Sequence, residues 1–204
     1  MNEKERPMRK VIVYMAMTLD GVIQGPGRYD EDLRGGFPYG GWAAPYEAMQ
    51  SREALRAMPE VGPLLLGRWT YEDLYDYWPK QVGNPFTERL NQMEKYVVSN
   101  TLREPLPWVN SALIHGAVAE AVAKLKAQPG KDIMVMGSGE LIQTLVAHHL
   151  VDLYILLIHP LVLGTGRRLF PEGVPYTRLQ LVDAKPAPKG VVVAIYQPAE
   201  SENQ

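Results

Sequence analysis

Three short segments of this sequence carry residue types suited to holding an anion. Gly137-Ser138-Gly139-Glu140-Leu141 follows the apolar run Ile133–Met136 and precedes a helical pattern. Glycines between a strand and a helix let a phosphate approach backbone N–H groups at the positive end of the helix. The same residues also suit a plain tight turn, which needs glycine for its backbone alone. Gly67-Arg68-Trp69-Thr70 follows an apolar run at 64–66, and Ser99-Asn100-Thr101 follows another at 96–98. Arg68 can grip a phosphate through two parallel N–H bonds, although a lone arginine is more often a solvated surface group. The glycines do not spell the G-x-G-x-x-G dinucleotide fingerprint, and no ribose-binding acid stands at the expected distance.

Other chemistries find less support. The 204 residues include no cysteine, which excludes disulfides, thiolate catalysis and cysteine-ligated metal. No metal is expected: His148-His149 lacks a third ligand at helical spacing, and no His-Glu-x-x-His occurs. No Gly-x-Ser-x-Gly elbow is present for serine hydrolysis. His159, in an apolar run before Pro160, reads as a satisfied core or interface histidine. Asp20 follows the first apolar run in an Asp-Gly turn. Trp42 and Tyr46 suit the wall of a substrate pocket or the anchoring of their own loop. The net charge of −2 gives no electrostatic case for nucleic acid or an anionic membrane.

These segments need elements to position them. The run 11–17 is short, with Glu3 and Glu5 before it and Asp20 after, so it reads as a first strand and not as a secretory leader. A glycine-rich stretch, 21–45, shows no periodicity and reads as a lid or binding loop packed by its aromatics. The pattern predicts helices over 45–58, 69–77, 86–93, 117–127 and 139–148, the last capped by Ser138. Strands are expected at 64–66, 96–99, 133–136 and 153–158, and a terminal hairpin from 178–184 and 191–197. Strands alternating with helices imply an α/β fold: a mainly parallel central sheet with helices on both faces and a C-terminal antiparallel hairpin. Residues 1–8 and 198–204 are expected to be flexible, around one domain at 9–197. The apolar stretch 153–158 and 161–163, interrupted by His159 and Pro160, reads as an edge covered by a second copy of the chain. In the alternative, the terminal hairpin covers it.

Set in order, the segments resemble dihydrofolate reductase. The stretch 13–23 (VYMAMTLDGVI) is similar to its first strand and following loop, and 66–72 (LGRWTYE) to its Gly-Arg-x-Thr-(aromatic)-Glu signature. Val97-Val98-Ser99 and 135–141 (VMGSGEL) resemble the next cofactor strand and the pyrophosphate turn. The stretches 150–154 and 159–170 (HPLVLGTGRRLF) narrow the resemblance to the C-terminal reductase domain of the bifunctional riboflavin deaminase-reductase and its stand-alone relatives. Those relatives carry a loop similar to Gly40–Tyr46.

The resemblance implies a dihydrofolate-reductase-like fold, NADPH as cofactor, a small-molecule substrate, a cytoplasmic location and a homodimer. It assigns Ala16 and Ile23 to the nicotinamide, and Gly67, Arg68 and Thr70 to the adenosine-side phosphates. Ser99, Asn100 and Thr101 go to the 2′-phosphate side, and Gly137, Ser138, Gly139, Glu140 and Leu141 to the pyrophosphate. Tyr14, Trp42, Tyr46 and Glu47 are the substrate-side candidates, with Glu47 and Glu53 both open as the proton-handling acid. Two positions depart from the pattern. Leu156 replaces the threonine that partners the acid in dihydrofolate reductases, and Met136 replaces a substrate-binding glutamate of the riboflavin reductase. The expected function is NADPH-dependent hydride transfer to a small heterocyclic or carbonyl substrate. The alternative is an NADP-binding sensor or interaction protein without efficient turnover.

Overall fold

The first strand, β1 (Val11–Thr18), is buried at every position but Met17. Such a nearly continuous apolar run belongs to a strand covered on both faces. The computed structural model describes residues 8–48, 52–57 and 62–199. Its eight strands form one mixed sheet in the order β4 (Ser111–Ile114), β3 (Lys95–Val98), β2 (Leu64–Gly67), β5 (Ile133–Met136), β1, β6 (Leu153–His159), β8 (Val192–Pro198) and β7 (Leu179–Pro186). The described residues divide into two compact units, one of 8–12 and 62–150, the other of 13–48, 52–57 and 151–199.

The first unit holds β2 (Leu64–Gly67), β3 (Lys95–Val98), β4 (Ser111–Ile114) and β5 (Ile133–Met136). All three pairings among them are parallel. Its helices are α2 (Arg68–Tyr77), α3 (Pro85–Gln92), α4 (Val118–Ala127) and α5 (Gly139–Ala147). α5 buries Leu141, Ile142, Leu145 and Val146, the apolar face that its spacing predicts. Lys95 is buried, and its ammonium donates to the carbonyls of Leu90 and Met93, each at 2.7 Å. Burial lowers its pKa to about 8.

The second unit holds most of β1, then α1 (Arg52–Ala57), β6 (Leu153–His159), β7 (Leu179–Pro186) and β8 (Val192–Pro198). β6 pairs antiparallel with β8, and β8 with β7, with an irregularity between Leu181 and Asp183. The stretch 21–45 is tied down through Gln24. Its amide donates to the carbonyls of Asp32 and Arg34, and its oxygen accepts from the Arg167 N–H. The Trp42 indole donates to the Gln24 carbonyl at 2.7 Å. Phe37 and Trp42 are buried, whereas Tyr29 is 80% exposed, so only part of the aromatic set packs.

Four expectations need correction. The helix over 45–58 does not run through: Glu47 is left-handed (φ 51°) after a single 3-10 turn, and α1 covers only 52–57. Residues 49–51 and 58 of that expected helix lie outside the described residues. β4 was not foreseen, because a four-residue, half-exposed strand carries no long apolar run. β6 is not an edge: it lies between β1 and β8, so the terminal hairpin covers it. Ser138 does not cap α5 with its side chain, which bonds elsewhere. The ends expected to be flexible lie outside the described residues except Met8, Pro198 and Ala199, and β8 itself runs to Pro198. Among the described residues, no helix is long and apolar enough to cross a membrane.

Candidate functional site

Within the first unit, the parallel register Leu64↔Met134 and Leu65↔Val135 aligns the carboxyl ends of β2 and β5. Ligands in open α/β sheets bind beyond such ends. The two turns that follow are bonded to each other. The Gly67 N–H donates to Ser138 Oγ at 2.8 Å. The Ser138 N–H and its hydroxyl both donate to Thr70 Oγ1, each at 2.9 Å. Gly137 has φ 63°, and a Cβ there would stand 2.7 Å from the Thr70 methyl, so glycine is required on two counts. Neither α2 nor α5 has a side-chain cap at its N-terminus, and the first turn of α2 has no acidic residue. First-turn N–H groups without a side-chain cap suit an anion.

The remaining predicted residues of this unit are placed as follows. Arg68 opens α2, donates to Glu72 at 3.2 Å and lies 4.3 Å over the Trp69 ring. Gly139 and Glu140 form the first turn of α5, where the Glu140 carboxylate adds unfavourable negative charge beside an anion. The Leu141 side chain is buried, which leaves its backbone for a ligand. Ser99 is buried, and its Oγ accepts from the N–H groups of Thr101 and Leu102. Asn100 Oδ1 accepts from the Gly116 N–H and pairs with the His115 ring. Both polar side chains thus shape the loop after β3, while Thr101 is exposed. Met136 ends β5 half-buried.

In the second unit, Tyr14, Ala16 and Ile23 are buried, and burial raises the Tyr14 phenol to about 12. Trp42 and Tyr46 help line an open hollow of about 590 Å³. Glu47 is exposed at the end of the 3-10 turn. Leu156 is buried opposite Ala194 of β8. Asp20 receives the Thr18 hydroxyl at 2.6 Å and the N–H groups of Leu163 and Gly164 at 3.2 and 2.8 Å. The Thr18 bond first, then those N–H groups, hold its carboxyl at about 2.

His159 and Gln24 hold positions in the structure that their residue types alone do not signal. The His159 ring is buried, with Nδ1 donating to the Leu157 carbonyl at 2.9 Å and lying 3.3 Å from that of Met17. Its Nε2 has no hydrogen-bond partner. Trp42 and Tyr46 meet the ring edge-on, with centroids 5.1 and 5.2 Å away. Burial lowers its pKa. The only sequence signal was an isolated histidine in an apolar strand of a chain rich in loop aromatics.

The fold has counterparts among known proteins. The Bacillus subtilis (strain 168) protein YyaP, itself uncharacterized, is 33% identical over 195 residues, covering 92% of this chain and 94% of YyaP. A pyrimidine reductase-like protein from Corynebacterium diphtheriae superposes with a TM-score of 0.61 at 16% identity, over 95% of this chain and 93% of that one. A dihydrofolate reductase from Enterococcus faecalis, complexed with NADP(H), superposes with a TM-score of 0.58 at 15% identity, over 94% and 97%. At such identities the two structures establish the dihydrofolate-reductase-like fold. The RibD C-terminal domain family matches residues 9–193, nearly the whole described chain, and the protein belongs to that family.

Proposed function

We propose that this protein is an NADPH-dependent reductase that passes a hydride to a small heterocyclic or carbonyl substrate. The observation that carries the reading is the bonded pair of turns after β2 and β5, with two helix N-termini that lack side-chain caps and a guanidinium at Arg68. That donor set fits a nucleotide diphosphate. Gly67, Arg68 and Thr70 would hold the adenosine-side phosphates, and the N–H groups of Gly139, Glu140 and Leu141 the pyrophosphate. Ser99, Asn100 and Thr101 would stand toward the 2′-phosphate. Ala16 and Ile23 would contact the nicotinamide, with Tyr14, Trp42, Tyr46 and Glu47 on the substrate side. The cofactor, when bound, supplies the hydride; the chain supplies orientation and exclusion of water.

Membership of the RibD C-terminal domain family and the fold shared with dihydrofolate reductases support a reductase-type oxidoreductase. By the same resemblance we read the protein as cytoplasmic and homodimeric. Light scattering that gives a mass near one 22.9 kDa chain at all concentrations refutes the dimer. A second reading, cofactor binding without efficient turnover, draws on the apolar side chains of Leu156 and Met136 at positions where the resemblance implies polar ones.

Calorimetric titration tests the proposal. NADPH should bind more tightly than NADH, and Arg68→Ala should reduce that preference, because it removes a charged contact worth about 10- to 100-fold in affinity. Equal affinity for both cofactors in the parent protein refutes the NADP assignment.

A further inference from the structure

Ser138 adopts a left-handed backbone (φ 55°, ψ 50°), a conformation unfavourable for a residue with a Cβ. Its neighbour Gly137 is left-handed too, at φ 63°. Strain at a strand-to-helix turn persists only where surrounding bonds over-determine it. Here three bonds do so: Gly67 N–H to Ser138 Oγ, Ser138 N–H to Thr70 Oγ1, and Ser138 Oγ–H to Thr70 Oγ1.

The direction of these bonds has a chemical result. A hydroxyl has one proton to give and two lone pairs to receive. Thr70 Oγ1 receives two donors from Ser138, so both lone pairs are engaged. Its own proton is the capacity that remains, on a residue that is half-exposed. Ser138 has given its N–H and its hydroxyl proton to Thr70 and received Gly67, so it keeps no polar proton for a ligand. The two hydroxyls that the turns bring together therefore differ: Thr70 is an obligate donor, and Ser138 keeps one lone pair and no proton to give. An oxygen carrying only lone pairs, such as that of a phosphate, matches Thr70, and a ligand N–H or O–H does not.

We propose that Ser138 is a positioning residue that arms Thr70 as a hydrogen-bond donor to a phosphate oxygen of the nicotinamide cofactor, and that Ser138 does not touch the cofactor itself. This rests on the cofactor reading above and changes the role that the family resemblance gives Ser138. The left-handed backbone is the means: it turns both the N–H and the hydroxyl of one residue onto one acceptor.

A double-mutant cycle on NADPH affinity decides the matter, with thermal unfolding recorded for each variant. Thr70→Val should weaken binding about 10- to 100-fold, as expected for a lost bond to a charged oxygen. Ser138→Ala, which keeps the Cβ and deletes the hydroxyl, should weaken it roughly 3- to 10-fold. The double variant should bind no worse than Thr70→Val alone, because Ser138 acts only through Thr70. Should Ser138→Ala not fold, Ser138→Gly deletes the same hydroxyl and relieves the backbone strain. Unchanged affinity in the Ser138 variant, or losses that multiply in the double variant, overturn the proposal while leaving the cofactor reading intact. Absence of NADPH binding by the parent protein overturns both.

Discussion

Gly137→Ala is the sharpest test of how the turns after β2 and β5 are built. The added methyl meets two costs. The first is backbone: φ 63° is left-handed, which costs a residue with a Cβ about 1–2 kcal/mol. The second is steric: the new Cβ stands 2.7 Å from Thr70 Cγ2 and 2.9 Å from Thr70 Oγ1. Thr70 is short and branched at Cβ, so it can yield only by moving its hydroxyl away from Ser138. That forfeits two hydrogen bonds, each worth about 0.5–1.5 kcal/mol net. The sum is about 2–5 kcal/mol. For a chain of this length each kcal/mol moves Tm by about 2–4 °C, so a fall of roughly 4–20 °C is expected. Gly83→Ala supplies the control. Its φ is 76°, and nothing stands within 4 Å of its added Cβ, so it carries the backbone cost alone. Circular dichroism melts of the two variants beside the parent isolate the steric part as their difference. A Gly137→Ala melt no lower than that of Gly83→Ala refutes the claim that Thr70 is locked in place.

Asp20→Asn should destabilise the protein at neutral pH and lose that effect in acid. The Asp20 carboxyl is held at about 2, against an ordinary 3.8, so its contribution is fully present above the unfolded value and disappears as pH falls from 3.8 toward 2. Melts across that range should show parent and variant converging, and a gap of constant size down to pH ~2 sinks the argument. With dihydrofolate as substrate and NADPH as cofactor, kcat/KM should fall below about 10⁴ M⁻¹s⁻¹, because an apolar side chain, buried Leu156, stands where the resemblance to dihydrofolate reductases implies a polar partner of the acid. Ordinary enzyme efficiency in a steady-state assay overturns that reading of Leu156.

The strands most legible in the sequence were those buried on both faces. β1, β2, β5 and β6 each announce themselves as unbroken apolar runs. β4 did not, because it is a half-exposed strand at the end of the sheet, with one neighbouring strand in place of two. The placing of β6 at an edge failed for a different reason. Pro160 marks where a ladder must end, but the partner strand lies some forty residues on, and pairing over that separation leaves no local trace. Ser138 shows the limit at the candidate site. Residue type favours serine as a helix cap, but the cap bond needs an extended backbone, and Ser138 is left-handed. The glycines at 137 and 139 were readable as a turn; the bonds from that turn to Gly67 and Thr70 were not, since they join residues about seventy apart.

The first strand has a consequence for how the protein is made. β1 leaves the ribosome well before the residues that hold it. Ile133 bonds back to the Lys10 carbonyl, and the His159 ring approaches the Met17 carbonyl across 142 positions. At a synthesis rate of about 5–20 residues per second, the strand waits roughly 7–30 s for that last contact. During the wait, the apolar side chains of Val11–Thr18 have no sheet to enter. Exposed apolar segments of this kind drive aggregation of nascent chains. The eight residues that end up deepest in the sheet are thus the ones most in need of a chaperone at birth, and slower translation lengthens that need.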